Sequence, residues 1–258
     1  MSGISSVLAQ STADDLKSRL EGKSLYLRGC WNSDKLHFDP TGKIIGTVGH
    51  VTFTLCGFEF EGLHLKKDKL VIDGYRVGLE LVGDRVKRVR LVSGDYRRYD
   101  PEEVHLEIDA PSNGDYSAAL DAILAEQLDE MLTNLPYYWQ RYARTYLAQT
   151  IPAPTPVTAS SDQPKRIGGG VTAPVLIESK EPEFDNSARA LKYSGNVVIN
   201  FWVHPDGSVS HLSIVHALGM GLDESALAAV QKYRFKPAME NGKPVLVEVN
   251  VIVSFKIF

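Results

Sequence analysis

The chain has 258 residues, 43% hydrophobic and 23% charged, with 21 Gly and 13 Pro, the composition of a globular chain of one or two domains. A net charge of -4 gives no overall field to attract nucleic acid or an anionic membrane. The longest apolar runs, Asn196–Val203 and Val245–Val253, are interrupted by polar residues. Neither approaches the ~18–20 apolar residues of a membrane span.

The N-terminus carries "SSVLAQS", Ser5 to Ser11, with small residues at Val7 and Ala9 as before a signal-peptidase cut at Gln10. The charged n-region and apolar stretch of a full signal are missing, so a trimmed signal and a chance match both stay open. A leading helix is expected over Thr12–Leu20, with Thr12 as cap and Leu16 and Leu20 on one face.

From Ser24 to about Asp109 the chain is strand-dense. Leu25/Leu27, Phe53/Leu55, Phe58/Phe60, Leu63/Leu65, Leu70/Ile72, Val77/Leu79/Leu81 and Val89/Leu91 each alternate with polar or small partners. Asp39-Pro-Thr-Gly42, Asp73-Gly74 and Gly83-Asp84 read as turns. This predicts an antiparallel meander that curls or closes like a barrel. Cys30 and Cys56 both fall here, and either a disulfide or two core cysteines fits the sequence. The basic run Arg85–Leu91, with Arg97 and Arg98, reads as a solvated edge, because Lys87 and Arg88 point opposite ways on a strand.

A helical pair follows. Leu120, Ile123, Leu124, Leu128, Met131 and Leu135 form a 3.6-residue stripe, and Pro136 restarts a second helix. In the latter, Tyr138, Tyr142 and Tyr146 lie four apart, the pattern of an aromatic packing stripe set against the meander. Ile151–Arg166 is rich in Pro, Ser, Thr and Ala and reads as a semi-extended linker. The expected division is therefore a β-rich domain over 1–149, a linker over 150–166 and a second domain over 167–258.

That second domain reads strand-helix-strand-strand-helix-strand. Asp185 or Asn186 caps the first short helix. Val197, Ile199, Phe201 and Val203 share one strand face, and "HPDGS" is a turn. Leu222, Ala226, Ala229, Val230 and Tyr233 share a helix face. Asn241-Gly242 supplies a tight turn, and Pro237 stops the helix while Phe235 buries its ring. The last strand puts Val245, Val247, Val249, Val251 and Val253 on one face and Leu246, Glu248, Asn250, Ile252 and Ser254 on the other. A last strand has no later strand to cover its edge.

The motifs "GGGVTAPVLI", "EPEFDNSAR", "SGNVVINFWVHPDGSVSHLSIV" and "GLDESALAAVQKYRFKPAMENGKPV", followed by the final strand, resemble in order the C-terminal domain of the TonB family. The resemblance carries Leu222-Asp223, Tyr233 to Ala238 and Gly242 to Val245, with Phe235, Pro237 and Gly242 in structural roles. It covers roughly the last third of the chain. With the first region read from its alternation, the expected fold class is α+β, a barrel-like antiparallel meander with a helical pair followed by a small βαββαβ TonB-like domain. The resemblance also implies a periplasmic protein that binds an extended segment, the TonB box, of an outer-membrane transporter by strand addition. The partner-binding residues implied are Val245, Leu246, Val247, Glu248, Val249, Asn250, Val251, Ile252, Val253 and Ser254. Self-pairing in a homodimer, or cover from the chain's own linker, is the competing use of that edge.

Two departures qualify the resemblance. The family's aromatic-Pro pair is here Phe184-Asp185. The membrane helix that couples classical members to an ExbB/ExbD-type motor has no counterpart, so an accessory role or a missing anchor is expected. No catalytic residues are expected: the seven histidines lack a completing carboxylate or cysteine set, and "IGGGV" lacks the rest of a phosphate loop. No metal, cofactor or nucleic-acid partner is implied. The rival reading is a small-molecule binding module, with a ligand inside the N-terminal barrel and the TonB-like domain as tether.

Overall fold

The computed structural model describes residues 11–93, 100–133, 135–147 and 163–257. Most of the signal-like stretch, Arg97, Arg98 and nearly all of the linker lie outside the described residues. The chain divides into two compact units, one of residues 1–79 and 88–131, the other of residues 80–87 and 132–258.

In the first unit, α1 (Ala13–Leu20) opens with a capping box in which Thr12 and Asp15 satisfy each other's backbone N–H groups. The strands are β1 (Leu25–Leu27), β2 (Lys35–Phe38), β3 (Gly57–Leu65), β4 (Lys69–Val82), β5 (Arg85–Arg90), β6 (Val92–Ser93), β7 (Asp100–Pro101) and β8 (Glu103–Asp109). After them come α2 (Ser117–Ile123), β9 (Leu124–Ala125) and α3 (Asp129–Leu132). The main sheet runs β2-β8-β4-β3-β1-β9, with β5 also on β4. Its two ends do not meet, so the expected barrel is corrected to an open sheet. Nor is it a pure meander, because β2 lies parallel to β8 with Lys35 opposite His105 and Phe38 opposite Ile108.

The physical reason is cover. Leu16 and Leu20 of α1 and Leu120 and Ile123 of α2 join Leu25, Leu27, Phe38, Phe58, Leu70, Ile72 and Leu106 in one filled core. A sheet whose apolar face is covered by helices need not close on itself. Among the described residues, these side chains occupy the space between sheet and helices. A cleft of about 630 Å³ does open on the surface, but Asn32, Asp34, Arg76, Glu103 and His105 line it with polar groups.

Three local expectations are corrected. Phe53–Leu55 is a single 3-10 turn rather than a strand. Asp73-Gly74 is not a turn but lies inside β4. A Cβ at Gly74 would stand 2.2 Å from the Glu59 carbonyl oxygen, so this glycine permits close strand approach instead. The long stripe from Leu120 to Leu135 is not one helix either. It breaks at Leu124–Ala125, which pairs with Tyr26 and Leu27 of β1. The Glu130 carboxylate accepts the N–H groups of Glu126 and Gln127 and so starts the next turn.

The basic run separates as its alternation requires. Arg88 donates to the carbonyls of Leu25 and Phe58, Arg90 pairs with Glu59 at 2.6 Å, and Lys87 pairs with Glu80 at 3.0 Å. Cys30 and Cys56 are joined by a disulfide, with their Cα atoms 4.8 Å apart.

The second unit holds α4 (Tyr137–Tyr142), a π turn over Ala143–Leu147, β10 (Val175–Glu178), α5 (Asn186–Ala190), β11 (Gly195–Val203) and β12 (Val209–His216). It continues with α6 (Leu222–Val230), β13 (Arg234–Lys236), β14 (Ala238–Glu240), β15 (Lys243–Val245) and β16 (Val247–Phe255). Helix α4 packs on β12. Its buried aromatics are Trp139 and Tyr142, while Tyr146 stays exposed. Spacing showed an aromatic stripe but not which face would find a partner. The Tyr142 hydroxyl donates to the Gly83 carbonyl at 2.7 Å.

The central sheet is β12-β11-β16. Val197, Ile199, Phe201 and Val203 of β11, Val247 and Val253 of β16, Leu222, Ala226 and Val230 of α6 and Ala188 of α5 are all buried, and α6 packs on β11 and β12. Asp185 caps α5, accepting from the N–H groups of Ser187 and Ala188. Residues 234–236 form β13, paired with β10, so the chain passes from α6 into a strand. Phe235 is buried against Phe201, ring centroids 5.7 Å apart. Asn241 and Gly242, with φ of 49° and 76°, turn β14 into β15.

Two outcomes follow. Replacing Phe235 by Ala lowers stability by about 3–4 kcal/mol, read from denaturant midpoints at unchanged m-value. Reducing the Cys30–Cys56 bond costs about 3–4 kcal/mol through the loop it closes. Thiol titration of the unfolded, unreduced protein checks the premise; two free thiols would contradict it.

Candidate functional site

The expected partner-binding residues do not form one strand. Val245 belongs to β15 and faces Ala238 in a hairpin. Leu246 separates that hairpin from β16. Residues Val247–Phe255 pair antiparallel with β11 at every position, from Val203↔Val247 to Gly195↔Phe255. On its other side β16 is the end of the sheet.

Which backbone groups point outward follows from alternation. The Leu246 carbonyl faces away from β11, because it accepts the N–H of Lys165 at 2.8 Å. Backbone direction alternates along a strand, so the N–H and C=O groups of Glu248, Asn250, Ile252 and Ser254 also face outward. Those of the valines face β11. Among the described residues, no strand pairs with β16 on this outward side beyond a single bridge between Lys165 and Val247.

The side chains follow the same period. Val247, Val253 and Phe255 are buried, and Val249 and Val251 are half-buried at the edge. The Phe184 ring meets Phe255 edge-on at 5.4 Å, so an aromatic supports this corner although proline is missing at position 185. On the opposite face Ile252 is 64% exposed. Asn250 accepts a hydrogen bond from Asn200 at 2.8 Å, and the Ser254 hydroxyl donates to Asn196 at 2.7 Å. Glu248 lies 3.9 Å from Arg141 with both side chains well exposed, an ion pair of little weight. Asn250 and Ser254 thus tie the strand to β11, and among the described residues no strand pairs the outward backbone beyond the Lys165 bridge.

The Leu222-Asp223 motif has a physical role. Asp223 is fully buried, and its carboxylate accepts the N–H groups of Leu218 at 2.8 Å and Gly219 at 2.7 Å. This ties the β12–α6 connection to the helix it precedes. Burial, then the neighbouring Glu224, push the Asp223 carboxyl well above its ordinary range, while the two backbone bonds pull it down. Glu224 accepts from the Trp139 indole at 2.7 Å through one oxygen. Its other oxygen is buried without a partner. Burial raises this carboxyl to about 7, with the indole hydrogen bond opposing.

His204 and His211 do approach each other, both bonding to the Ser210 hydroxyl, at 2.6 and 2.8 Å. His211 stacks on Trp202 with ring centroids 3.8 Å apart. Among the described residues, no group of three His, Cys, Asp or Glu side chains could hold a metal ion. No helix there is long and apolar enough to cross a membrane. Sequence reasoning missed Lys165, whose contact with β16 leaves no periodic signal; the adjacent Gly168-Gly169-Gly170 run was the available sign of a sharp reversal.

These features define a small α+β interaction domain ending on a strand with one open edge. Residues 180–257 match the sequence model of the Gram-negative bacterial TonB protein C-terminal family, and this segment is a TonB C-terminal domain. Protein TonB of Vibrio cholerae serotype O1 is 28% identical over 104 residues, which cover 37% of this chain and 43% of that protein. The chain thus spans less than half the length of that relative. The solution NMR structure of the Pseudomonas aeruginosa TonB CTD aligns with 35% of this chain and 89% of its own, at 22% identity and a TM-score of 0.28. A score that low carries no further argument.

Glu224 generates a pH prediction. Its carboxyl is raised when folded, to about 7 from 4.5, so the folded state holds this proton more tightly than the unfolded state. Its stabilising effect is complete below about pH 4.5 and is lost as pH rises through about 7. Between about pH 5 and 8 the wild-type protein should lose on the order of 2 kcal/mol from this group. Glu224→Gln removes that part of the slope, and urea midpoints against pH for both proteins check it.

Proposed function

We propose that the chain acts in the periplasm as a TonB-like protein that holds an extended segment of an outer-membrane transporter. The segment adds as a strand to the outward edge of β16. The observation that carries this reading is the outward backbone of Asn250, Ile252 and Ser254, which no strand among the described residues pairs, beside full pairing on the inner side. Unpaired N–H and C=O groups in a row are a template for one more strand. The family match over residues 180–257 supports an outer-membrane transporter as the partner proposed. The Cys30–Cys56 disulfide supports an oxidising compartment on separate grounds. Grip by main-chain hydrogen bonds requires no catalytic group, and the role proposed is mechanical binding rather than catalysis.

The test is titration of the full chain with peptides copied from the N-terminal segments of outer-membrane transporters of the same genome. Saturable amide shifts centred on Glu248–Ser254 are expected. Ile252→Pro removes an outward N–H while leaving the donors to β11 in place, so it should weaken binding at least tenfold in a folded protein. Shifts elsewhere, or undiminished binding by that variant, would end the reading.

A further inference from the structure

The segment leading into the TonB-like domain is folded back onto it. Gly168 and Val171 bond to each other's backbone at 2.9 and 3.1 Å, and Gly168, Gly169 and Gly170 between them take φ values of 105°, 60° and 101°. That left-handed run favours glycine and makes a tight reversal. On its far side Val171 is buried and bridges Glu240, while Thr172 exchanges two hydrogen bonds with Met239, each of 2.9 Å. On its near side the Lys165 ammonium pairs with the Glu240 carboxylate. The Lys165 N–H then reaches Leu246, and the residue bridges Val247 in parallel. The arm is thus pinned at both ends, to the β14–β15 hairpin and to the first rung of the β16 edge.

We infer that Lys165 seals the N-terminal end of the β16 edge and so sets the register of any strand that adds there. The direction of the bridge decides this. In a parallel arrangement Gln163 and Pro164, the described residues before Lys165, lie toward β15, away from Glu248. The residues after it leave at the Gly168 turn. The bridge sets Lys165 between the Leu246 carbonyl and the Glu248 N–H, and among the described residues it leaves Asn250, Ile252 and Ser254 uncovered. An added strand must stop short of the Glu248 N–H, and a slip of one residue would exchange its two faces. The exposed Ile252 lies within the permitted stretch, where a cross-strand apolar neighbour is favoured. The inferred partner is a short extended segment with an apolar side chain set beside Ile252. The seal rests on the strand-addition reading for its use, and on the arm alone for its existence.

The experiment uses the full chain in three forms: wild type, Lys165→Pro, which removes the seated N–H, and Gly169→Val, which disfavours the reversal independently. Without peptide, the Lys165 amide of the wild type should exchange with deuterium at least tenfold more slowly than in an unstructured chain, and Gly169→Val should abolish that protection. Two transporter-derived peptides are then compared, one matched to Asn250–Ser254 and one extended past Val247. Wild type should bind both equally, with no shift at Leu246, while both variants bind the longer one several-fold more tightly. An unprotected Lys165 amide overturns the inference whether or not a peptide binds. So does a longer peptide that binds wild type more tightly and releases the Lys165 amide. A protected amide with no peptide bound by any form upholds the seal and removes the strand-addition reading instead.

Discussion

Much of the TonB-like domain hangs on one ladder, the pairing of Val247–Phe255 with Gly195–Val203 at every residue. Because side chains alternate, that pairing decides which residues enter the core and which backbone groups are left over. Val247 and Val253 are buried, with Val197, Ile199, Phe201 and Val203. The same alternation turns the N–H and C=O groups of Glu248, Asn250, Ile252 and Ser254 outward. Core and outward edge are consequences of one register. Asn200 with Asn250, and Asn196 with Ser254, add cross-strand polar pairs on the face away from the helices.

The domain manages its exposed edge by local means. Glu248, Asn250 and Ser254 place polar groups along it, which discourages indiscriminate stacking. One end is closed by Lys165, carried there by the glycine reversal. What stays open is a bounded length rather than a whole strand. An edge with a defined beginning selects a register, and register selects which side chains of an added segment meet Ile252 on one face and the half-buried Val249 and Val251 on the other.

Buried carboxylates make a second constraint on this unit. Asp223 ties the loop before α6 to the helix through two backbone N–H groups, which explains an acidic residue at a position where burial alone would reject it. Glu224 accepts from the Trp139 indole through one oxygen, and its raised proton affinity follows from burial, which outweighs that bond. In the first unit the comparable constraint is steric: Gly74 lets β3 and β4 approach where any Cβ would strike the Glu59 carbonyl.

Local chemistry was legible in the sequence. Thr12 capping α1, Asp185 capping α5, the Asn241-Gly242 turn and the alternation of the valines each depend on residues close in the chain, so a short window contains the cause. Non-local choices were not. Leu124–Ala125 left its helix because β1 offered an edge, Asp73-Gly74 continued a strand because β3 lay beside it, and the sheet stayed open because helices covered its apolar face. Trp139 and Tyr142 found β12 for the same kind of reason. The sequence by itself determined the periods, the caps and the identity of the last strand. Only the tertiary structure decided which edge stayed bare and where it began, since an edge is defined by the strand that is not beside it and by the distant residue, Lys165, that closes its end.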